Sequence, residues 1–126
     1  MQIARRLLLA TALAIGPAAL ALASGFDRTA FDTARAAGRT VVVEVHADWC
    51  PTCRAQAPVL TELLAEPAFA DVARITVDFD ADKDILRELK VRQQSTLIVF
   101  KGETEKARAV GITDPAAIRA LLEQGR

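Results

Sequence analysis

One stretch restricts this chain more than any other. The run Thr40-Val41-Val42-Val43-Glu44-Val45-His46 is followed within four residues by Cys50-Pro51-Thr52-Cys53. β-Branched side chains crowd a helix and fit a pleated strand. A strand that is apolar on both alternating faces needs cover on both, so it belongs inside a sheet with helices on each side. Pro51 stands where a fixed φ and a missing N–H suit the first position of a helix. The passage reads as a buried strand, a short loop through Ala47, Asp48 and Trp49, and a helix that begins at the cysteines.

The remaining periodicity completes the frame. Residues 27–38 predict a helix with Ala30, Phe31, Ala34 and Ala37 at helical spacing and Gly38 as its stop. The helix after Pro51 extends to about residue 65, with Val59, Leu60, Leu63 and Leu64 on one face. Pro58 should bend it, and Pro67 ends the segment. Residues 72–79 predict a strand that runs into an acidic turn. A short helix over residues 83–90 turns Ile85, Leu86 and Leu89 inward. Residues 96–100 and 104–110 pair as antiparallel strands across Lys101-Gly102-Glu103, and Gly111 ends the second. Asp114-Pro115 caps and opens a last helix with Ile118, Leu121 and Leu122 as its stripe. The order α-β-α-β-α-β-β-α is that of an α/β domain. Its alternating part implies right-handed parallel crossovers, closed by a terminal hairpin and helix. There is no repeat, low-complexity tract or linker.

Residues 1–23 have a different character. Arg5 and Arg6 precede an almost unbroken apolar stretch, and Ala21-Leu22-Ala23 has the small-x-small form of a cleavage site. This is the layout of a signal peptide, and it predicts a periplasmic domain over residues 24–126. An uncleaved anchor is the rival reading. The apolar stretch is shorter than the ~20 residues of a membrane span and is interrupted by Gly16-Pro17. Arg5-Arg6 also leaves the twin-arginine route open. The whole chain has 126 residues, 52% of them hydrophobic, which supports one core. Sixteen basic and sixteen acidic residues form no like-charged block, and there is one Trp and no Tyr. Nucleic acid and membrane surfaces are therefore not expected partners.

The cysteine spacing carries the chemistry. Residues three apart at a helix start lie one turn apart, so Cys50 and Cys53 can close a small disulfide ring that an attacking thiolate opens readily. So short a loop makes a poor staple. Unpaired N–H groups at the helix N-terminus favour a thiolate on Cys50. Cys53, one turn in, should be the more buried and resolve a mixed disulfide made through Cys50. Structural zinc needs four ligands, and only His46 could join the pair; no metal is expected.

Trp49-Cys50-Pro51-Thr52-Cys53 after the valine strand resembles the thioredoxin family. The likeness extends to Pro58, Asp80, the stretch from Thr96 to Gly102, and Gly111. It implies a thioredoxin fold, with a central mixed sheet of four to five strands flanked by helices. It implies thiol–disulfide exchange on protein substrates, with Cys50 as nucleophile, Cys53 as resolving cysteine, a redox-active Cys50–Cys53 disulfide and no cofactor. Glu44 matches the buried acid that shuttles a proton for the resolving cysteine, and a carboxylate between Val43 and Val45 would be desolvated as that role requires. An outward-facing Glu44 at a sheet edge is the alternative. Trp49, Pro51, Thr52, Gln94, Ser95 and Thr96 correspond to the substrate-binding surface.

Three positions depart from the family pattern. Ser95 stands where the family has a cis-proline, and a cis bond before a non-proline residue costs ~2.5–4 kcal/mol. A trans Gln94–Ser95 bond is therefore expected, with a hydroxyl near the sulfurs and either an altered substrate loop or a metal or iron–sulfur cluster held between subunits. His46 replaces an aromatic, as a packed core residue or as a cation near Cys50. Thr76 occupies the place of a lysine near the acid. The dipeptide Pro51-Thr52 is similar to that of periplasmic reductants of cytochrome c maturation. The expected protein is a monomeric reductant of disulfide-containing exported proteins, recharged by a membrane thiol-electron carrier. A disulfide-forming oxidase and a redox-inert binding or chaperone module are the other two readings.

Overall fold

The computed structural model describes residues 25–126. The expected signal peptide, residues 1–23, lies outside the described residues.

Helix α1, Arg28–Ala36, starts where Asp27 accepts the Ala30 N–H at 2.9 Å and stops before Gly38, whose φ is +73°. Strand β1, Thr40–His46, is buried at every position except His46, as its β-branched run requires. Helix α2, Pro51–Leu64, begins at Pro51, carries Pro58 inside it and buries Cys53, Gln56, Leu60 and Leu63. Strand β2, Ala73–Asp78, helix α3, Lys83–Glu88, strands β3, Thr96–Lys101, and β4, Thr104–Val110, and helix α4, Pro115–Glu123, follow in the expected order. One element was not anticipated. Pro67 does not simply end a segment; it opens a 3-10 turn, Pro67–Phe69, that drives Phe69 into the core at 1% exposure.

The sheet has four strands in the order β2-β1-β3-β4 among the described residues. β1 and β2 are parallel, while β3 runs antiparallel to β1 and to β4. The expectation of parallel crossovers therefore holds for α2 alone. The short α3 leads the chain to the far side of β1, where it enters β3 in the opposite direction.

β1 separates two apolar layers. Val41, Val43 and Val45 pack with Phe31, Ile85, Leu86, Ile98 and Phe100, whereas Val42 packs with Leu60, Leu63, Leu97, Ile118 and Leu122. Side chains alternate along a strand, so Glu44 shares the face of Val42, against α2. A third small cluster at the C-terminal end of β1 contains Ala47, Cys50 and Cys53, with Phe79 against it. That end of the sheet holds the candidate site.

Candidate active site

The backbone turn after β1 sets the first sulfur. Cys50 N–H donates to Ala47 O at 3.1 Å, and Cys50 is the N-cap of α2. Its Sγ accepts the Cys53 N–H at 3.1 Å. A helix N-terminus thus directs a free donor and its dipole at this sulfur, which stabilises negative charge there. Both cysteines are free thiols, 2% and 1% exposed. The expected contrast in burial is therefore slight, and what separates the two is their surroundings. Cys53 Sγ donates to Val45 O at 3.9 Å. Burial, and next its hydrogen bond with Cys50, push the Cys53 thiol up from its ordinary value of 9.0, while backbone hydrogen bonds of Ala47 and Ser95 act the other way.

Glu44 is 3% exposed, so the alternative of an outward-facing edge position does not hold. Its Oε2 accepts Arg74 Nε at 2.8 Å and Nη2 at 2.7 Å. Arg74 is in turn held by Thr61 Oγ1 at 2.7 Å and Ala57 O at 3.4 Å, both on α2. The resemblance places a lysine near the acid where this chain has Thr76. Thr76 is opposite Glu44 in the ladder, but the cation comes from Arg74, two residues earlier on the same face of β2. An arginine two residues before Thr76, on the same face of the strand, was the signal that could have revealed it.

Trp49 is the most exposed large apolar side chain near the sulfurs, at 56%. Its Nε1 donates to Asp80 Oδ2 at 2.7 Å, and its ring meets Phe79 edge-on at 6.5 Å between centroids. Pro51 and Thr52 form the first turn of α2, Pro51 exposed and Thr52 half-buried. His46 neither packs as an isolated core residue nor directs its hydrogen bond at a sulfur; its Nε2 pairs with Asp48 Oδ1 at 3.0 Å, at the surface.

The loop before β3 contains no cis bond, so Gln94–Ser95 is trans as expected. Ser95 instead adopts a left-handed φ of +58°. Its N–H donates to Val45 O at 2.8 Å and its carbonyl accepts the Gly111 N–H at 3.0 Å. Its hydroxyl, expected to face the sulfurs, donates to Gln94 O at 2.6 Å. Thr96 Oγ1 donates to Gln93 O at 2.7 Å, which closes the loop on itself. A groove of about 390 Å³, lined by Val91, Arg92, Gln93, Thr96 and Val110, runs beside it. Sequence reasoning also overlooked Gln56, a fully buried amide on α2. Among the described residues, no three His, Cys, Asp or Glu side chains gather as a metal site would require.

Such an arrangement can, as a dithiol, donate two electrons to a disulfide presented at Cys50 or, as a disulfide, accept two from a dithiol. Comparison with known proteins agrees. The family model described as Thioredoxin matches residues 24–124. The chain is 39% identical over 93 residues to thioredoxin-2 of Saccharomyces cerevisiae, a match that covers 73% of this chain and 86% of that protein. It is 38% identical over 81 residues to a thioredoxin of Mycolicibacterium smegmatis, covering 64% and 72%. Among solved structures it resembles Trxlp from Edwardsiella tarda, with a TM-score of 0.76, 42% identity, and coverage of 78% of this chain and 95% of that one. The thioredoxin of Malassezia sympodialis follows with a TM-score of 0.67 and 28% identity, over 75% and 84% of the two chains. Agreement of this length and identity makes the chain a member of the thioredoxin family, and its activity that of a thiol–disulfide oxidoreductase.

Proposed function

We propose that this protein is an exported, monomeric reductant of protein disulfides in the periplasm, recharged by a membrane thiol-electron carrier. The observation that carries the chemistry is the cap of α2. Cys50 Sγ accepts a helical N–H at 3.1 Å while Cys53 is held behind it as a buried thiol.

The Cys50 thiolate attacks one sulfur of the substrate disulfide. The Cys50–substrate bond forms, the substrate S–S bond breaks, and the departing sulfur leaves as a thiolate that takes a proton. Cys53 then loses its proton and attacks Cys50 Sγ. This forms the Cys50–Cys53 disulfide and releases the second substrate sulfur. Two electrons pass from the dithiol to the substrate, and the membrane carrier later returns two. Glu44 takes the Cys53 proton, with Arg74 supplying the counter-charge that a buried carboxylate needs. Trp49, Pro51, Thr52, Gln94, Ser95 and Thr96 receive the substrate segment around the scissile bond.

The signal-like layout of residues 1–23 supports export, and the uncharged Pro51-Thr52 pair supports the direction of flow. Titration of the domain against a dithiol buffer tests that direction. The expected midpoint is nearer the ~−270 mV of thioredoxin than the ~−120 mV of the strong periplasmic oxidant; a value at the oxidant end would make this protein a disulfide donor. N-terminal sequencing of protein from a periplasmic extract should begin at Ser24, and retention of residues 1–23 would instead indicate an anchor.

A further inference from the structure

Gln56 is a buried amide to which the exchange chemistry gives no role. It lies one turn beyond Cys53 on α2 and is 1% exposed. A buried amide is costly unless it is hydrogen-bonded. Here Nε2 donates to Ser95 O at 3.3 Å and to Ile112 O at 2.8 Å. The two carbonyls belong to separate segments, the loop before β3 and the chain after β4.

The Ser95 backbone is the more demanding partner. Its φ of +58° is in the left-handed region, where any residue with a Cβ is crowded. Such a conformation persists when its surroundings over-determine it. Ser95 N–H is tied to β1 at Val45, and its carbonyl is taken by both Gly111 and Gln56. Cys53 Sγ donates to the same Val45 carbonyl at 3.9 Å, so the loop and the buried sulfur meet at one point of β1. One helix therefore carries both thiols and the amide that ties down the loop facing them.

We propose that Gln56 is a positioning residue for protein disulfides: its amide joins α2 to Ser95 and Ile112, and so holds residues 93–96 at a fixed place relative to Cys50 Sγ. This rests on the reading that Gln94, Ser95 and Thr96 receive the substrate segment. A disulfide too small to lie along the loop does not need the tie.

The test uses Gln56→Leu, which keeps the side-chain bulk and removes the donor. Steady-state reduction of insulin's interchain disulfides is compared with reduction of hydroxyethyl disulfide. A small-molecule dithiol in excess returns two electrons per turnover to the Cys50–Cys53 disulfide, and its uncatalysed rate is subtracted. KM for insulin should rise about tenfold, the size of one lost hydrogen bond, with kcat and the small-disulfide rate within about twofold. Equal losses on both substrates, or an unchanged KM for insulin, would overturn the proposal. Gln56→Met, longer and more adaptable, serves the same comparison where the leucine chain does not fold. Ser95→Gly adds a second readout, because glycine enters the left-handed region freely. The Gln56→Leu penalty should shrink in that background, and strictly additive penalties would contradict a route through Ser95. If the unaltered chain reduced neither disulfide, the exchange reading itself would fail, which is a different outcome.

Discussion

At the scale of single residues, the two sulfurs are distinguished by their partners more than by their exposure. Cys50 has a helix N–H at 3.1 Å, and Cys53 has burial and a neighbouring thiol. Cys50→Ser should therefore abolish turnover, whereas Cys53→Ser should trap a mixed disulfide on Cys50, visible by intact mass as the protein plus the substrate chain. Cys53 also links stability to pH. Its folded value lies above 9.0, so in the reduced protein the unfolded chain loses this proton first as pH rises. The contribution is fully present below the unfolded value and declines as pH climbs through the folded one. Urea midpoints of the reduced protein should fall across that alkaline window, and those of a Cys53→Ala chain should fall less. Glu44 makes a separate case. Arg74→Met removes the guanidinium from an acid that is 3% exposed, and should destabilise the domain by about 2 kcal/mol in urea titrations.

At the scale of elements, α4 closes against the sheet through a contact that composition does not reveal. A Cβ on Gly125 would stand 2.5 Å from Thr40 Cγ2 and 2.7 Å from Val99 Cγ1. Thr40 Oγ1 also donates to Gly125 O at 2.5 Å. Gly125→Ala should lower stability by ~1–3 kcal/mol through overpacking, with exchange activity retained because the site is at the other end of β1. The elements themselves were largely legible. The valine run declared β1, Pro51 and Asp114-Pro115 declared two helix starts, and the Lys101-Gly102-Glu103 turn declared the hairpin. The direction of β3 was not legible, because a six-residue α3 is compatible with either side of β1. The turn at Pro67–Phe69 was missed because three residues are too few to show a period.

At the scale of the whole molecule, folding and redox chemistry form one cycle. A fold that raises the Cys53 thiol by burying it disfavours the thiolate there, and so withholds from the reduced state the stabilisation that makes a strong oxidant. If the native chain stabilises the disulfide over the dithiol more than the unfolded chain does, its potential falls and the dithiol becomes the stronger reductant. The oxidised protein should therefore unfold at a higher urea concentration than the reduced one. The reverse order would identify an oxidant.

The sequence by itself determined an α/β chain with a central buried strand, a cysteine pair at a helix start and an acid in that strand. These are local properties: side-chain branching, a proline's φ and a spacing of three residues are present before the chain folds. The tertiary structure alone decided that Arg74 and not residue 76 meets Glu44. It also decided that Ser95 takes a left-handed backbone in place of a cis bond, that its hydroxyl faces Gln94, and that Gln56 ties two loops to the cysteine helix. Each of those is a contact between segments far apart in the chain, or a conformation that such contacts enforce. Local patterns record which surfaces need cover, not which distant group provides it.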